Sequence, residues 1–351
     1  MGVNDDLSDA LTSHAIGVQR LTNATVRKIL ALLGRSDARI LERLLATDMS
    51  ALTRARQEEL LRDIREIVTS VYTDATGQLQ IDLEAYAKYE SEYQLDLFKT
   101  VVPVSLDYVA PAADQIVAAV NSRPFQGRLL KEWYRDLEEG AFRRLRDTIR
   151  MGVVEGRTVE QMVRDIRGSA ANGYKDGILE TNRRVAEATV RTSVAHTNNA
   201  ARDVFYGRNA RLLKGVQWSA TLDGRTSAVC RARDGQVYPV DSGPRPPAHP
   251  NCRSSTIPVL KSLRELGISG IDLPVGTRAS MDGQVAADTT YDSWLRRQPV
   301  EFQDDVLGKA KADLFRAGLT LDRYVSKSGD EYTLAELKRR EAKLWKRTFQ
   351  S

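Results

Sequence analysis

Cys230, His249 and Cys252 are the residues of this sequence most able to do chemistry. The chain holds three histidines and two cysteines, and three of those five fall between positions 230 and 252. The last two sit in a proline-rich stretch, Pro246-Pro-Ala-His-Pro-Asn-Cys-Arg-Ser-Ser-Thr-Ile-Pro258. Thiolate and imidazole are favoured zinc ligands, and a structural zinc site is normally four-coordinate. Cys230, His249 and Cys252 would supply three ligands, and Asp223, Asp234, Asp241 or water the fourth. A nucleophilic cysteine–histidine pair would need a third group to orient it, and Asn251 stands beside Cys252. A Cys230–Cys252 disulfide is a third outcome. The fourth is a proline-fixed corner whose cysteines are small buried apolar groups. Spacing leaves all four open, although no Cys-x-x-Cys pair supports zinc.

These residues need elements to position them. Val216-Gln-Trp218-Ser-Ala220 alternates like a strand. Asp223-Gly-Arg225 and Asp234-Gly235-Gln236 are turn signals. Val237 to Val240 and Thr256 to Leu260 read as short strands on either side of the rigid loop Asp241 to Pro247. This small α+β unit follows a long helical half, residues 1 to about 210. There, apolar residues recur at three- and four-residue spacing: Val26, Leu30, Leu33, Ile40, Leu44; then Leu60, Leu61, Ile64, Ile67, Val68, Val71; then Leu79, Leu83, Tyr86, Tyr93, Leu97. Such stripes are how soluble helices pack, so they read as core before partner docking. Gly34-Arg-Ser36 is expected to break or kink the first helix, and Pro103 and Pro111 punctuate the chain. Thr158-Val-Glu-Gln161 has the spacing of a capping box. His196 lies in a polar-rich helix with no second catalytic group beside it, so it reads as a buried, hydrogen-bonded histidine.

The fold class expected is mainly α with a small α+β module. Residues 1–150 form a helical arm or bundle, 151–260 the α+β module, 261–290 a linker, and 291–351 a helical extension. The extension ends in the basic helical run Lys338 to Arg347. A length of 351 residues suits about two domains, and a hydrophobic content of 42% is enough to build cores. The net charge of +5 permits contact with nucleic acid or an acidic partner, but a solvated surface of mixed charge explains it as well. Two cysteines make no disulfide scaffold. The first twenty residues lack the pattern of a signal peptide, and no stretch is apolar and long enough to span a bilayer, so a soluble protein without membrane contact is expected.

The motif residues also occur in a telling order. A helix bears Arg191-Thr192-Ser193 and continues through Asn198, Asn199 and Ala200. Then come Trp218, Asp223-Gly-Arg225, Cys230, Asp234-Gly235 and Pro246-Pro-Ala-His249-Pro250-Asn-Cys252-Arg253. Over about residues 150 to 260 this series resembles the phage minor head protein family, the Mu F-like head morphogenesis proteins. Three positions depart from that family's pattern. Ser193 stands in place of Glu, Ser227 in place of the first cysteine of a pair, and Ser254 in place of the cysteine after Arg253. Serine is a poor zinc ligand, so the resemblance counts against a metal. The expectation is a structural corner with no cofactor, in which Asp223, Arg225, His249 and Arg253 form a polar network.

The resemblance implies a structural minor capsid protein of a tailed bacteriophage, not an enzyme. It would sit in the virion at or near the portal vertex, inside the head, after assembly in the host cytoplasm. Its partners would be the portal protein and major capsid or scaffold proteins, with a role in assembly and in DNA packaging or ejection. Non-specific contact with packaged DNA would come from Lys338, Arg339, Arg340, Lys343, Lys346 and Arg347. The alternative is a zinc-dependent nuclease or Cys–His hydrolase built on residues 223–254.

Overall fold

A computed structural model describes residues 3–47, 53–101, 107–262, 265–266 and 277–350. Pro103 and much of the expected linker, 263–264 and 267–276, lie outside the described residues. Helices α1 (Val3–Leu45), α2 (Arg54–Val101), α3 (Ala113–Ser122), α4 (Leu130–Val154), α5 (Val159–Arg167) and α6 (Ile178–Arg208) come first. Then follow β1 (Leu213–Ser219), α7 (Ala228–Arg233), β2 (Val237–Tyr238), β3 (Ser255–Leu260), β4 (Thr277–Ser280) and β5 (Gly283–Ala286). Helices α8 (Tyr291–Leu295), α9 (Val300–Leu307), α10 (Lys309–Arg316), α11 (Leu334–Arg340) and α12 (Ala342–Phe349) end the chain. The fold is mainly α with a small α+β region, as the residue pattern predicts.

Two compact units are present, and neither is one contiguous segment. The helical unit comprises Val18–Lys88 and Val117–Thr197; the strand-bearing unit comprises Met1–Gly17, Tyr89–Ile116 and Asn198–Ser351. This division differs from the sequential segments expected above, because α1, α2, α3 and α6 each contribute residues to both units.

In the helical unit the apolar stripes are core. Leu33, Ile40 and Leu44 of α1, Leu60, Ile64 and Val68 of α2, and Leu137, Leu145 and Ile149 of α4 are all buried. The stripes expected over residues 60–71 and 79–97 belong to the single helix α2, of 48 residues. The break expected at Gly34-Arg-Ser36 is absent, and α1 runs on to Leu45. One glycine costs a helix only about 1 kcal/mol relative to alanine. Ser36 keeps its hydroxyl satisfied on the Leu33 carbonyl at 2.6 Å, so neither residue forces a turn. The capping box forms as expected: Thr158 Oγ1 accepts from the Gln161 N–H at 3.3 Å, and Gln161 Oε1 accepts from the Thr158 N–H at 2.8 Å. His196 places Nε2 2.9 Å from the Val120 carbonyl and stacks on Phe125. Burial lowers its pKa, so the ring is neutral and donates to that carbonyl.

In the strand-bearing unit, β1 is the centre of an antiparallel sheet of order β2-β1-β3. The register pairs Val216 with Tyr238 on one side and Trp218 with Thr256 on the other. Phe98, Phe205, Tyr206, Leu213 and Val216 form one core cluster. Tyr291, Trp294, Leu314, Phe315, Leu321, Tyr324 and Leu337 form another beneath the terminal helices. The stretch expected to be linker includes the hairpin β4–β5, in register from Thr277↔Ala286 to Ser280↔Gly283. The basic run at the end is two short helices instead of one, because Glu341 leaves helical geometry at φ −115°.

A buried ionic network in this unit has no motif in the sequence. Glu90 is fully buried; it accepts from Arg202 Nε at 2.6 Å and from Gln94 Nε2 at 2.9 Å, and its other oxygen lies 2.5 Å from His14 Nε2. The His14 ring stacks on Tyr93 at 3.8 Å, and Arg202 also reaches the Thr256 carbonyl of β3 at 3.3 Å.

Candidate functional site

The cysteine–histidine site is assembled from two turns and the start of a short helix. His249 and Cys252 are the ends of a four-residue turn closed by Cys252 N–H donating to the His249 carbonyl at 3.2 Å. Pro250 suits the second position of such a turn, and Asn251 tolerates the φ of 59° at the third. The turn thereby brings the His249 ring and the Cys252 thiol to one side. Cys230 comes from the first turn of α7. Ser227 caps α7 by backbone geometry alone, because its hydroxyl lies 2.7 Å from His249 Nε2.

Three ligand atoms meet there. Cys230 Sγ lies 3.6 Å from Cys252 Sγ and 3.3 Å from His249 Nε2. Both thiols are buried, packed with Trp218 and Ala220. His249 Nδ1 lies 2.8 Å from the Pro250 carbonyl, so Nδ1 carries a proton and donates it there. The Cys252 pKa is lowered to about 4, first by a hydrogen bond from the Cys230 thiol and then, against burial, by His249. The Cys230 thiol is pushed far up by that same hydrogen bond and by burial. His249 is raised by its hydrogen bond to Cys252, with burial opposing.

The polar network forms without His249. Arg253 grips Asp223 with both guanidinium nitrogens, at 2.6 and 2.8 Å. Burial works against the Asp223 charge, but the Arg253 fork holds its pKa below the ordinary value. Arg225 joins through its backbone N–H, which donates to Asp223 at 3.0 Å, while its side chain stays exposed. His249 belongs to the thiol cluster instead, because the turn at Pro250 sets its ring against Ser227 and Cys230. Asp223, named as a fourth zinc ligand, is committed to Arg253.

Asp234 is more than a turn residue. Its buried carboxylate accepts from the N–H groups of Ala220 and Tyr291, each at 2.7 Å, and from Arg278 at 2.9 and 3.0 Å. Gly235 follows at φ 80°, where a Cβ would lie 2.7 Å from Thr290 Cγ2, so glycine is required. Sequence reading missed Arg278 and Tyr291, which lie too far along the chain for any local pattern to join them to Asp234. Trp218 is fully buried between strands, with the Arg233 guanidinium 5.3 Å from its ring centroid. Arg191 and Thr192 fall in the helical unit. There Arg191 pairs with Glu187 and Asn23, and Thr192 bonds back to the Ala188 carbonyl.

The order of these residues can now be set against known families. Residues 143–257 are a match to the family described as Phage Mu protein F like protein. The match covers about a third of the chain and contains Cys230, His249, Cys252 and the Asp223–Arg253 pair. It supports the resemblance read from the residues, and this segment is a Mu F-like module. No curated protein and no solved structure matches the chain. The DNA-contact candidates lie outside the Mu F-like module, on α11 and α12. Lys338, Arg339, Arg340, Lys343, Lys346 and Arg347 are all exposed. Arg340 rests over the Tyr332 ring at 4.3 Å, and Arg347 donates to the Ala317 carbonyl at 2.9 Å.

Proposed function

We propose that this protein is a minor capsid protein of a tailed bacteriophage that acts in head morphogenesis at or near the portal vertex, inside the head. The Mu F-like module is the observation that carries this reading. Its role is structural and not enzymatic. In support, both thiols of the one cysteine–histidine cluster are under 4% exposed, so a substrate carbonyl or phosphate would not reach them. Its partners are the portal protein and major capsid or scaffold proteins. Among the described residues no helix is long and apolar enough to cross a membrane.

Quantitative mass spectrometry of purified, DNA-filled particles, counted against the portal protein, tests the placement. The chain is expected at or below the portal's copy number. Absence from particles, with abundance in the lysate, would overturn the reading and turn attention to hydrolysis at residues 223–254.

Contact with packaged DNA is electrostatic and indifferent to sequence. Lys338, Arg339, Lys343 and Lys346 are the exposed cations to replace, because Arg340 and Arg347 also hold the fold. Changing those four to Gln is expected to weaken DNA binding about 10-fold or more at low salt, and to flatten the salt dependence by about one unit of slope per lost contact. Fluorescence anisotropy across a salt series reads both. A slope unchanged in the variant would remove this surface from the DNA-binding account.

A further inference from the structure

The cysteine–histidine cluster has a geometry that a structural corner does not require. Zinc bonds of about 2.3 Å to sulfur and about 2.0–2.1 Å to nitrogen, set tetrahedrally, put two sulfurs about 3.8 Å apart and sulfur about 3.6 Å from nitrogen. The observed separations are 3.6 and 3.3 Å, so expansion by a few tenths of an ångström would admit the ion. All three ligand atoms lie within 4.8 Å of one another. Donation from Nδ1 to the Pro250 carbonyl is the outer contact that zinc-bound histidines use to fix their tautomer, and it directs Nε2 at the thiols. A disulfide would need the sulfurs at about 2.05 Å.

We propose that Cys230, Cys252 and His249 Nε2 hold a structural zinc ion, with a water held by the Ser227 hydroxyl in the fourth position. Binding forms two zinc–sulfur bonds and one zinc–nitrogen bond, and the two protons that the thiols and imidazole Nε2 hold between them pass to solvent. Two thiolates neutralise the dication, so the buried site gains no net charge. Arg253 stays with Asp223 and does not compete for the thiolates. Ser227 lies within hydrogen-bond reach of the imidazole, where its hydroxyl can orient a bound water although it is a weak ligand itself. The ion would cross-link α7 to the 249–252 turn. The two serines that stand where the resembling family has cysteine would therefore reduce the thiolate count without abolishing the site.

The full chain, produced with zinc in the medium and purified without chelator, should carry one zinc per chain by elemental mass spectrometry. After stripping and reduction, cobalt(II) should give thiolate charge-transfer and visible bands that saturate at one equivalent. Zinc removal should lower Tm by about 5 °C or more. Cys252→Ser should lose the cobalt bands. Should that variant not fold, Ser227→Cys keeps the question open to decision: it should fold and bind cobalt at least tenfold more tightly through a third thiolate. A folded, reduced wild-type chain that carries no zinc, gives no thiolate–cobalt band and shows both thiols free to a thiol reagent once unfolded would overturn the proposal. So would a native Cys230–Cys252 disulfide whose reduction restores no cobalt binding.

Discussion

Glu90→Ala is expected to destabilise the strand-bearing unit by about 3–5 kcal/mol, the range for removing one partner of a buried ion pair. The Glu90 carboxylate is fully buried, and Arg202, its partner at 2.6 Å, has a side chain only 4% exposed. Without the carboxylate the buried Arg202 guanidinium loses this charge partner, and His14 loses the acceptor that ties it to α2. The same pair predicts acid sensitivity. Burial alone would raise the Glu90 pKa, but the charge of Arg202 and the hydrogen bond of His14 reverse this and bring it from 4.5 to about 2. A folded-state pKa below the unfolded one gives stability that is fully present above about pH 4.5 and is lost as pH falls through about 2. At 1.36 kcal/mol per unit the loss is about 3 kcal/mol. Urea unfolding of the wild type and Glu90→Gln at pH 7, 4.5 and 2.5 measures it. The wild type should lose clearly more stability than the variant between the last two. Equal losses would show that Glu90 is not the group responsible.

That network shows where the sequence stops being legible. Helical period and capping chemistry are local, so the stripes of α1, α2 and α4 and the Thr158 box can be read in advance. The strands around Trp218 and the turns at Asp223 and Asp234 are local too, and the ordered series from Arg191 to Arg253 was specific enough to anticipate the module found over 143–257. Glu90, by contrast, lies 76 residues from His14 and 112 from Arg202. Within its own helix it looks like any charged residue, and only the tertiary fold makes it a core residue. Gly34 misled for the opposite reason: its weak local preference is overridden by packing along α1. At the site, type and spacing found the cysteines and the histidine. They could not show that a turn at Pro250-Asn251 swings His249 onto Ser227 and Cys230 while Asp223 goes to Arg253.

Asp234→Ala is expected to cost a similar amount, about 3–5 kcal/mol, because this buried carboxylate gathers four donors, including one partner of an ion pair. Two are backbone N–H groups, of Ala220 at the end of β1 and Tyr291 at the start of α8, and two are the Arg278 guanidinium nitrogens of β4. Asp234→Asn keeps one acceptor oxygen and should cost less than alanine, although it can no longer pair ionically with Arg278. Arg278 also donates to the carbonyls of Ala220 and Thr289, so Arg278→Met should be destabilising by itself. The double variant should then cost less than the sum of the two singles, because each single already removes the shared pair. Urea midpoints for the four proteins give that coupling, and strict additivity would show that the pair contributes nothing. The position of this pair gives the result its structural weight. Asp234 lies in the Mu F-like module, whereas Arg278 and Tyr291 lie beyond it. Other bonds cross the same seam, among them Tyr291 Oη to the Asp223 carbonyl at 2.7 Å, Arg231 to the Val306 carbonyl at 2.7 Å, and the Met281 N–H to the Leu222 carbonyl at 3.0 Å. The terminal segment is therefore fastened to the turns that carry the cysteine–histidine site, and loosening Asp234 should loosen both together in a single unfolding transition.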